Sequence, residues 1–172
     1  GLHASPTCVI SYGETGEGAV GYLIGEEHQG MRYMFKMMNN ARLGVGVEGL
    51  AVAERALQQA SSFALDRRQG RAIGAAAGEQ SLIIEHPDVR RMLLTMRAYT
   101  DAMRCILYAN AAALDLAKSH PDSEERQLAS DRAELLTPIS KAWCTDLGVE
   151  MTSLGIQVHG GYGYIEETGA AQ

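Results

Sequence analysis

The chain has 172 residues, of which 46% are hydrophobic and 21% charged, and its formal net charge is −6. This length and composition are typical of one globular domain, or of a small domain with an appendage, that can bury a sizeable core. The acidic balance argues against a nucleic-acid partner, and no apolar run approaches the roughly 20 residues that a membrane-spanning helix needs.

Two short β-strands are predicted near the N-terminus. Residues 7–12 and 19–24 are rich in β-branched and aromatic side chains, and the "GETGEG" between them is typical of a hairpin or loop. A hairpin alone is marginally stable in water, so we expect these strands to need more sheet than this chain contains. The opening "GLHASPT" has no cap or leader, and we expect the chain to be an excerpt of a longer protein.

A long amphipathic helix is predicted from Gly30 to the "DRRQG" at residues 66–70. Glycines interrupt its middle at Gly44, Gly46 and Gly49, and each costs about 1 kcal/mol relative to alanine in a helix. We expect this stretch to lie where a neighbouring helix or a ligand approaches closely, with helix packing the commoner reason. The apolar stripe recurs at steps of three and four, at Met31, Met34, Phe35, Met38, Ala41, Val45, Val52, Ala56, Ala60 and Phe63.

A second helix is predicted from the "HPDV" at residues 86–89, after the loop "GRAIGAAAGEQS". Pro87 suits the first turn of a helix, and the negative charge of Asp88 is favourable there. The eight methionines of the chain follow the helical stripes, which indicates core filling rather than a cofactor site. The stripe of this helix consists of Val89, Met92, Leu93, Met96, Tyr99, Met103, Ile106, Leu107, Leu114 and Ala117.

The polar "KSHPDSEE" at residues 118–125 is expected to end the second helix, and a third helix is predicted to start within it, at Ser123 with Glu124 and Glu125. Pro138 is expected to kink this helix or to mark its true start. Three long helices with short polar connections predict an antiparallel helical bundle, which a fourth helix beyond the "GGYGY" at residues 160–164 would complete. The apolar positions of the third helix are Leu135, Ile139, Ala142, Trp143 and Leu147.

Several common sites are not indicated. Three scattered cysteines, Cys8, Cys105 and Cys144, are too few for a disulfide framework, so we expect buried or free thiols. The chain lacks a phosphate-loop lysine motif, a nucleophile elbow and a His-Glu-x-x-His pair. No signal peptide is recognisable, which favours a cytoplasmic protein. Four histidines have no metal-ligand spacing and are interpreted as surface or capping residues: His28, His86, His120 and His159.

The "GIQVHGGYGYIEE" at residues 155–167 is unusually rich in glycine for the end of a helical region. A Gly-Gly pair either forms a plain turn or lets the backbone come very close to another molecule. By itself this motif is weak evidence for cofactor binding.

Three ordered segments strongly resemble the C-terminal half of the flavin-dependent acyl-CoA dehydrogenases. They are residues 21–70, which include "MFKMMNNARLGVGVEGL", residues 83–104, "IIEHPDVRRMLLTMRAYTDAMR", and residues 135–167, "LLTPISKAWCTDLGVEMTSLGIQVHGGYGYIEE". The opening "GLHASPTCVISYGE" is similar to the last strands of the family's middle β-domain. Within the family, the chain most resembles the larger bacterial branch that includes 3-methylthiopropanoyl-CoA dehydrogenase. The resemblance implies that residues 1–29 end the middle β-domain and that residues 30–172 form an incomplete C-terminal helical bundle.

The resemblance also implies half of an FAD site. In the matching segment "DRRQG", the resemblance places Arg67 and Gln69 on the FAD of a neighbouring subunit. An arginine suits this place because its guanidinium can bind two oxygens of a pyrophosphate. Read without the family, Arg67 and Arg68 are cations at a helix end.

The glycine-rich segment corresponds to the family's Gln-x-x-Gly-Gly. Gln157, Gly160 and Gly161 would then line the adenosine and diphosphate of the same FAD, since glycine amides can approach phosphate or ribose oxygens directly. The predicted cofactor half-site therefore consists of Arg67, Gln69, Gln157, Gly160 and Gly161.

The "NNAR" at residues 39–42 matches the family's acyl-CoA contact segment, which implies that Asn39 and Arg42 bind substrate. Some relatives carry the catalytic glutamate just before this arginine, but Ala41 occupies that place and cannot abstract a proton. No catalytic residue is assigned, and the base is expected downstream of Gln172.

The implied activity is α,β-dehydrogenation of an acyl-CoA thioester. The implied partners are an acyl-CoA substrate, electron-transfer flavoprotein as acceptor, and further copies of the chain in a homodimer or homotetramer, with this segment alone inactive. Two alternatives stay open: an acyl-CoA oxidase, and a non-catalytic helical module used for oligomerisation.

Overall fold

The computed structural model describes residues 3–14 and 16–171. The chain divides into two compact units, Gly1–Lys36 and Met37–Gln172. Within the described residues, no helix combines the length and the apolar character needed to cross a membrane. The three long helices are α1 (Gly30–Asp66), α2 (Pro87–Ser119) and α3 (Ser123–His159), and single 3₁₀ turns cover Ile83–Glu85, Gly160–Tyr164 and Glu166–Thr168.

The predicted helices are confirmed, with starts where the sequence signals placed them. Pro87 is the first residue of α2. The side chain of Asp122 caps α3, accepting hydrogen bonds from the backbone amides of Glu124 at 2.7 Å and Glu125 at 3.4 Å. Because α3 runs from Ser123 through Pro138, the proline does not mark the start of this helix.

The helices form the predicted bundle, in which α2 runs antiparallel to α1 and α3. The predicted close approach at the α1 glycines is confirmed at two positions. A Cβ on Gly46 would lie 2.9 Å from Cδ2 of Leu107, and one on Gly49 would overlap the carbonyl oxygen of Cys144. Gly148 of α3 faces the same contact, because a Cβ there would lie 3.0 Å from the Gly49 carbonyl oxygen. At Gly44 a Cβ would have no heavy atom within 4 Å, so no helix of the described chain approaches that glycine closely.

The buried faces match the predicted stripe in α2, but only in part in α1, where Ala60 is buried, and in α3, where Leu147 is buried. Met92, Leu93, Met96, Met103 and Leu107 of α2 are buried as predicted. In the other two helices the core is built mainly from small residues. The assignment of all eight methionines to the core is wrong for Met31, Met34 and Met37, which are exposed. The residues actually buried are Gly46, Gly49, Leu50, Ala53, Leu57, Ala60 and Ala64 in α1 and Ala129, Ala133, Thr137, Ser140, Cys144, Leu147, Gly148, Met151, Gly155, Val158 and His159 in α3.

The two predicted N-terminal strands do not form in the described residues. Among the described residues of the two segments, a single backbone hydrogen bond joins them, from the amide of Ala19 to the carbonyl of Tyr12, at 2.9 Å. The apolar side chains of this segment remain exposed, with Val9 at 102% and Ile24 at 91%. Two strands without a larger sheet bury too little surface to hold a ladder. Residues 1, 2 and 15 of this predicted region lie outside the described residues.

Cys144 is expected to resist alkylation in the folded protein. Its side chain is 0% exposed, and burial raises the pKa of its thiol from 9.0 to about 11. The reactive thiolate should therefore be about 100-fold scarcer than for an unshifted thiol. Iodoacetamide labelling with peptide mapping should modify the exposed Cys8 and Cys105 at least about 100-fold faster than Cys144. Equal rates are expected only in denaturant, and equal rates in the folded protein would contradict the burial of Cys144.

Candidate functional site

The end of α1 is fixed by pairing with the segment that precedes α2. The amide of Ile83 donates to the carbonyl of Arg67 at 2.8 Å, and the amide of Gln69 donates to the carbonyl of Ser81 at 3.0 Å. The chain then turns at Gly70, whose φ of +66° favours glycine. Backbone pairing on both sides of residue 68 therefore fixes the backbone positions of Arg67 and Gln69 next to the start of α2.

The end of α3 lies against the end of α1. His159 is buried, and its ring stacks on Phe63 with the ring centroids 4.4 Å apart. The His159 Nδ1–H donates to the carbonyl of Gly155 at 2.7 Å, since a carbonyl can only accept. His159 is therefore not a surface histidine, and its hydrogen bond to a carbonyl near the end of α3 agrees with the capping alternative. Gly160, with φ of +60°, ends the helix directly after it and begins the Gly160–Tyr164 turn.

A groove of about 370 Å³ lies between these two helix ends, and we call it the helix-end groove. Its polar lining comes from Arg67, Gln69, His86 and His159, together with Gly160, and no carboxylate of the described residues lines it. Three residues that the sequence predicted for one cofactor, Arg67, Gln69 and Gly160, are thus brought together.

Arg67 is the main charged group of the helix-end groove. Its guanidinium carbon lies 4.9 Å from the centroid of the Tyr162 ring, within the range of a cation–π contact. Arg67 as a whole residue is half-buried, and no residue among 3–14 and 16–171 accepts a hydrogen bond from its guanidinium or forms an ion pair with it. The adjacent Arg68 differs, because its Nη1 donates to the carbonyl of Gln80 at 2.9 Å. The donors of Arg67 are therefore available to a ligand.

The other two predicted cofactor residues lie beside the groove and do not line it. Gln157 is exposed on the last turns of α3, and its Nε2 donates to the Tyr164 hydroxyl. Gly161 follows Gly160 directly, and a Cβ there would have no heavy atom within 4 Å. Nothing within the described chain fills the space beside Gly161.

The predicted substrate residues lie near the other end of α1. Arg42 donates from Nη1 to Oδ1 of Asn39 at 2.9 Å. At the rise of an α-helix, Arg42 is about 36 Å along the axis from the end of α1. The predicted substrate and cofactor residues of one chain are thus far apart.

A larger groove of about 750 Å³ lies between α1 and α2. It is lined mainly by apolar side chains, among them Leu57, Leu65 and Leu94, and it contains none of the predicted site residues. Within residues 3–14 and 16–171, no three His, Cys, Asp or Glu side chains are grouped so that they could hold a metal ion.

Residues 28–172 match the family model described as the C-terminal domain of acyl-CoA dehydrogenase. The chain belongs to the acyl-CoA dehydrogenase family. This confirms the family that the three sequence segments indicated. It also accounts for the mainly helical fold.

Two curated acyl-CoA dehydrogenases show the extent of the similarity. The 3-methylmercaptopropionyl-CoA dehydrogenase of Ruegeria pomeroyi is 52% identical over 172 residues, which is 100% of this chain and 28% of that protein. A butyryl-CoA dehydrogenase of Syntrophomonas wolfei is 37% identical, over 97% of this chain and 28% of that protein. The chain therefore spans just over a quarter of the length of these relatives.

A solved acyl-CoA dehydrogenase structure shares the fold. Butyryl-CoA dehydrogenase from Megasphaera elsdenii matches with a TM-score of 0.68 at 24% identity, covering 86% of this chain and 33% of that structure. The likeness of the backbone extends over most of the described bundle.

Two contacts of residues at the helix-end groove were not predicted from the sequence. They are the stacking of His159 on Phe63 and the contact of Tyr162 with Arg67. Phe63 was recognised as an apolar position, but its partner lies 96 residues away in sequence. The only signal in the sequence for the second contact was Tyr162 in the "GGYGY" at residues 160–164. Such a motif does not indicate which cation a tyrosine ring contacts.

Proposed function

We propose that this chain is the C-terminal helical domain of an FAD-dependent acyl-CoA dehydrogenase, with its helix-end groove supplying half of the FAD site of a partner subunit. The observation that carries the proposal is the guanidinium of Arg67, a half-buried residue: among the described residues none accepts a hydrogen bond from this group, and no carboxylate lines its groove. In this proposal residues 1–29 end a middle β-domain and residues 30–172 belong to the helical domain.

The donor set fits a dinucleotide diphosphate. The planar guanidinium of Arg67 lies over the Tyr162 ring, which leaves the donors at its edge free to bind two oxygens at once. Gly160 and Gly161 present backbone without a Cβ, so phosphate or ribose can approach their amides. Gln69 and Gln157 add amide groups that can hydrogen-bond the adenosine.

The chain's own contribution to the reaction is binding and alignment. FAD, when bound, accepts the hydride that leaves the β-carbon of an acyl-CoA thioester. Arg67 and its neighbours hold the nucleotide by charge, while Asn39 and Arg42 are the proposed contacts to the acyl-CoA. Ala41 has no acidic group, so the base that takes the α-proton comes from elsewhere in the protein.

The separation of the two sets of residues favours an oligomeric enzyme. With about 36 Å of α1 between Arg42 and the helix end, the two ends of the helix serve different active sites, one in each subunit of a dimer or dimer of dimers. Electron-transfer flavoprotein is the proposed electron acceptor and the cytoplasm the proposed location, both on the basis of family membership.

The activity is tested on the complete protein that contains this chain. A yellow preparation whose flavin absorbance is bleached anaerobically by butyryl-CoA or octanoyl-CoA is expected. A colourless protein that binds no FAD would favour a helical oligomerisation module, and no bleaching by any acyl-CoA would overturn the dehydrogenase proposal. Rapid reoxidation of the bleached flavin by oxygen would instead favour an oxidase. The isolated 172-residue chain should bind FAD weakly or not at all.

Replacing Arg67 with methionine is expected to weaken FAD binding about 10- to 100-fold, the effect of losing one charged hydrogen-bonding group. The matched control is Arg68→Met, because Arg68 is the adjacent cation but bonds the carbonyl of Gln80. FAD titration of the complete apoprotein should show the loss for Arg67→Met and wild-type affinity for Arg68→Met. Equal effects of the two variants would point to general charge rather than to the helix-end groove.

A further inference from the structure

We propose that Tyr162 is a positioning residue that orients the Arg67 guanidinium for the diphosphate of the cofactor. This inference rests on the proposed function and assigns a role to a residue that neither the sequence motifs nor the family match identifies. It begins from the 4.9 Å distance between the guanidinium carbon and the ring centroid.

An arginine at a helix end has several rotatable bonds and would otherwise sample many orientations. Contact with the face of an aromatic ring restrains the plane of the guanidinium and leaves its N–H groups pointing outward. The Arg67 donors make no other hydrogen bond within residues 3–14 and 16–171, so this ring is the only polar restraint on them in the described chain. The ring of Tyr162 therefore sets the direction in which Arg67 presents its charge.

The turn that carries the ring is held to α1 through Thr168. The Thr168 hydroxyl donates to the carbonyl of Tyr162 at 2.7 Å, and the Nε2 of Gln59 donates to the carbonyl of Thr168 at 2.9 Å. Phe63, on the same helix, lies with its ring centroid 6.4 Å from that of Tyr162. Gln59, Phe63 and Arg67 thus support the same tyrosine from successive turns at the end of α1.

Because of these contacts, the side chain of Tyr162 can be replaced without releasing the turn that carries it. The hydrogen bond from Thr168 is to the backbone of Tyr162, so changing the side chain does not remove it. The side chain is also 48% exposed, so a smaller group leaves no closed cavity. Tyr162→Leu removes the aromatic face, whereas Tyr162→Phe keeps the face and removes only the hydroxyl.

The test is a double-substitution cycle on FAD binding by the complete apoprotein. Tyr162→Leu should weaken FAD binding about 3- to 5-fold, which is the effect of losing an exposed cation–π contact. Tyr162→Phe, which keeps the aromatic face, should bind FAD with wild-type affinity. In the Arg67→Met background, Tyr162→Leu should have no further effect. Thermal midpoints should not differ between the tyrosine variants, and Tyr162→Met provides the same comparison if the leucine variant fails to fold.

The outcomes separate the two proposals. If Arg67→Met weakens binding while Tyr162→Leu binds FAD as tightly as wild type, the positioning role of Tyr162 is wrong and the cofactor site stands. The positioning role is also wrong if Tyr162→Leu has the same effect with and without Arg67, or if Tyr162→Phe fails to restore affinity. If Arg67→Met leaves FAD affinity unchanged, the proposed cofactor site itself is wrong.

Discussion

Replacing Gly49 with alanine should lower the free energy of unfolding by about 3 kcal/mol, although alanine is the better helix former. A Cβ at this position would overlap the Cys144 carbonyl oxygen and would lie 3.1 Å from the Cα of Thr145. These are backbone atoms of α3, so no side-chain rotation can make room and the helices must move apart. The propensity gain of alanine, about 1 kcal/mol, is too small to compensate.

Thermal unfolding followed by circular dichroism measures this effect. The midpoint of Gly49→Ala should fall by roughly 6–12 °C for a protein of this size. The matched control is Gly44→Ala on the same helix, where a Cβ has no heavy atom within 4 Å. Only helix propensity acts there, so the control should be unchanged or more stable by up to about 1 kcal/mol. Similar midpoints for the two variants would contradict the close crossing of α1 and α3.

The sequence predicted the positions of the helices well because their limits depend on local chemistry. Pro87 can occupy a first turn, and a polar stretch with Asp122 ends one helix and caps the next. Such signals act within a few residues and do not require knowledge of the fold. The three helices and their antiparallel order could therefore be predicted.

The buried faces of α1 and α3 could not be predicted in the same way. The predicted stripe of α1 included Ala60, which is 0% exposed, but also Met31 and Val52, which are 63% and 49% exposed, and it missed Ala53, which is 0% exposed. Where two helices cross at glycines, small residues fill the contact and large ones lie outside it. A pattern that gives weight to size thus misses small buried residues such as Ala53.

The candidate site was predicted only in part. Arg67, Gln69 and Gly160 line one groove, as the family resemblance implied, while their roles and those of Gln157 and Gly161 stay predictions. The contacts of Phe63 with His159 and of Tyr162 with Arg67 join residues about 95 positions apart. Such contacts depend on how α1 and α3 pack, which local sequence does not determine.

Replacing Gly163 with alanine is expected to release the Gly160–Tyr164 turn from the end of α3. A Cβ on Gly163 would overlap the carbonyl oxygen of Ile156 and would lie 3.0 Å from the Cγ2 of the same residue. Because Gly163 is buried against this backbone, we expect a loss of about 2–3 kcal/mol in the free energy of unfolding. The turn that carries Tyr162 would be displaced with it.

The matched control for this change is Gly161→Ala, two residues earlier in the same turn. Its Cβ would meet nothing within 4 Å, so its thermal midpoint should equal that of wild type. If Gly161 lies against the nucleotide as proposed, FAD titration of the complete apoprotein should nevertheless show weaker binding for this variant, because the added methyl group occupies the space that the ligand needs. Gly163→Ala should lower both the midpoint and the affinity. A normal midpoint for Gly163→Ala would contradict the packing of the turn on α3, and normal FAD binding by Gly161→Ala would mean that this glycine serves only the turn.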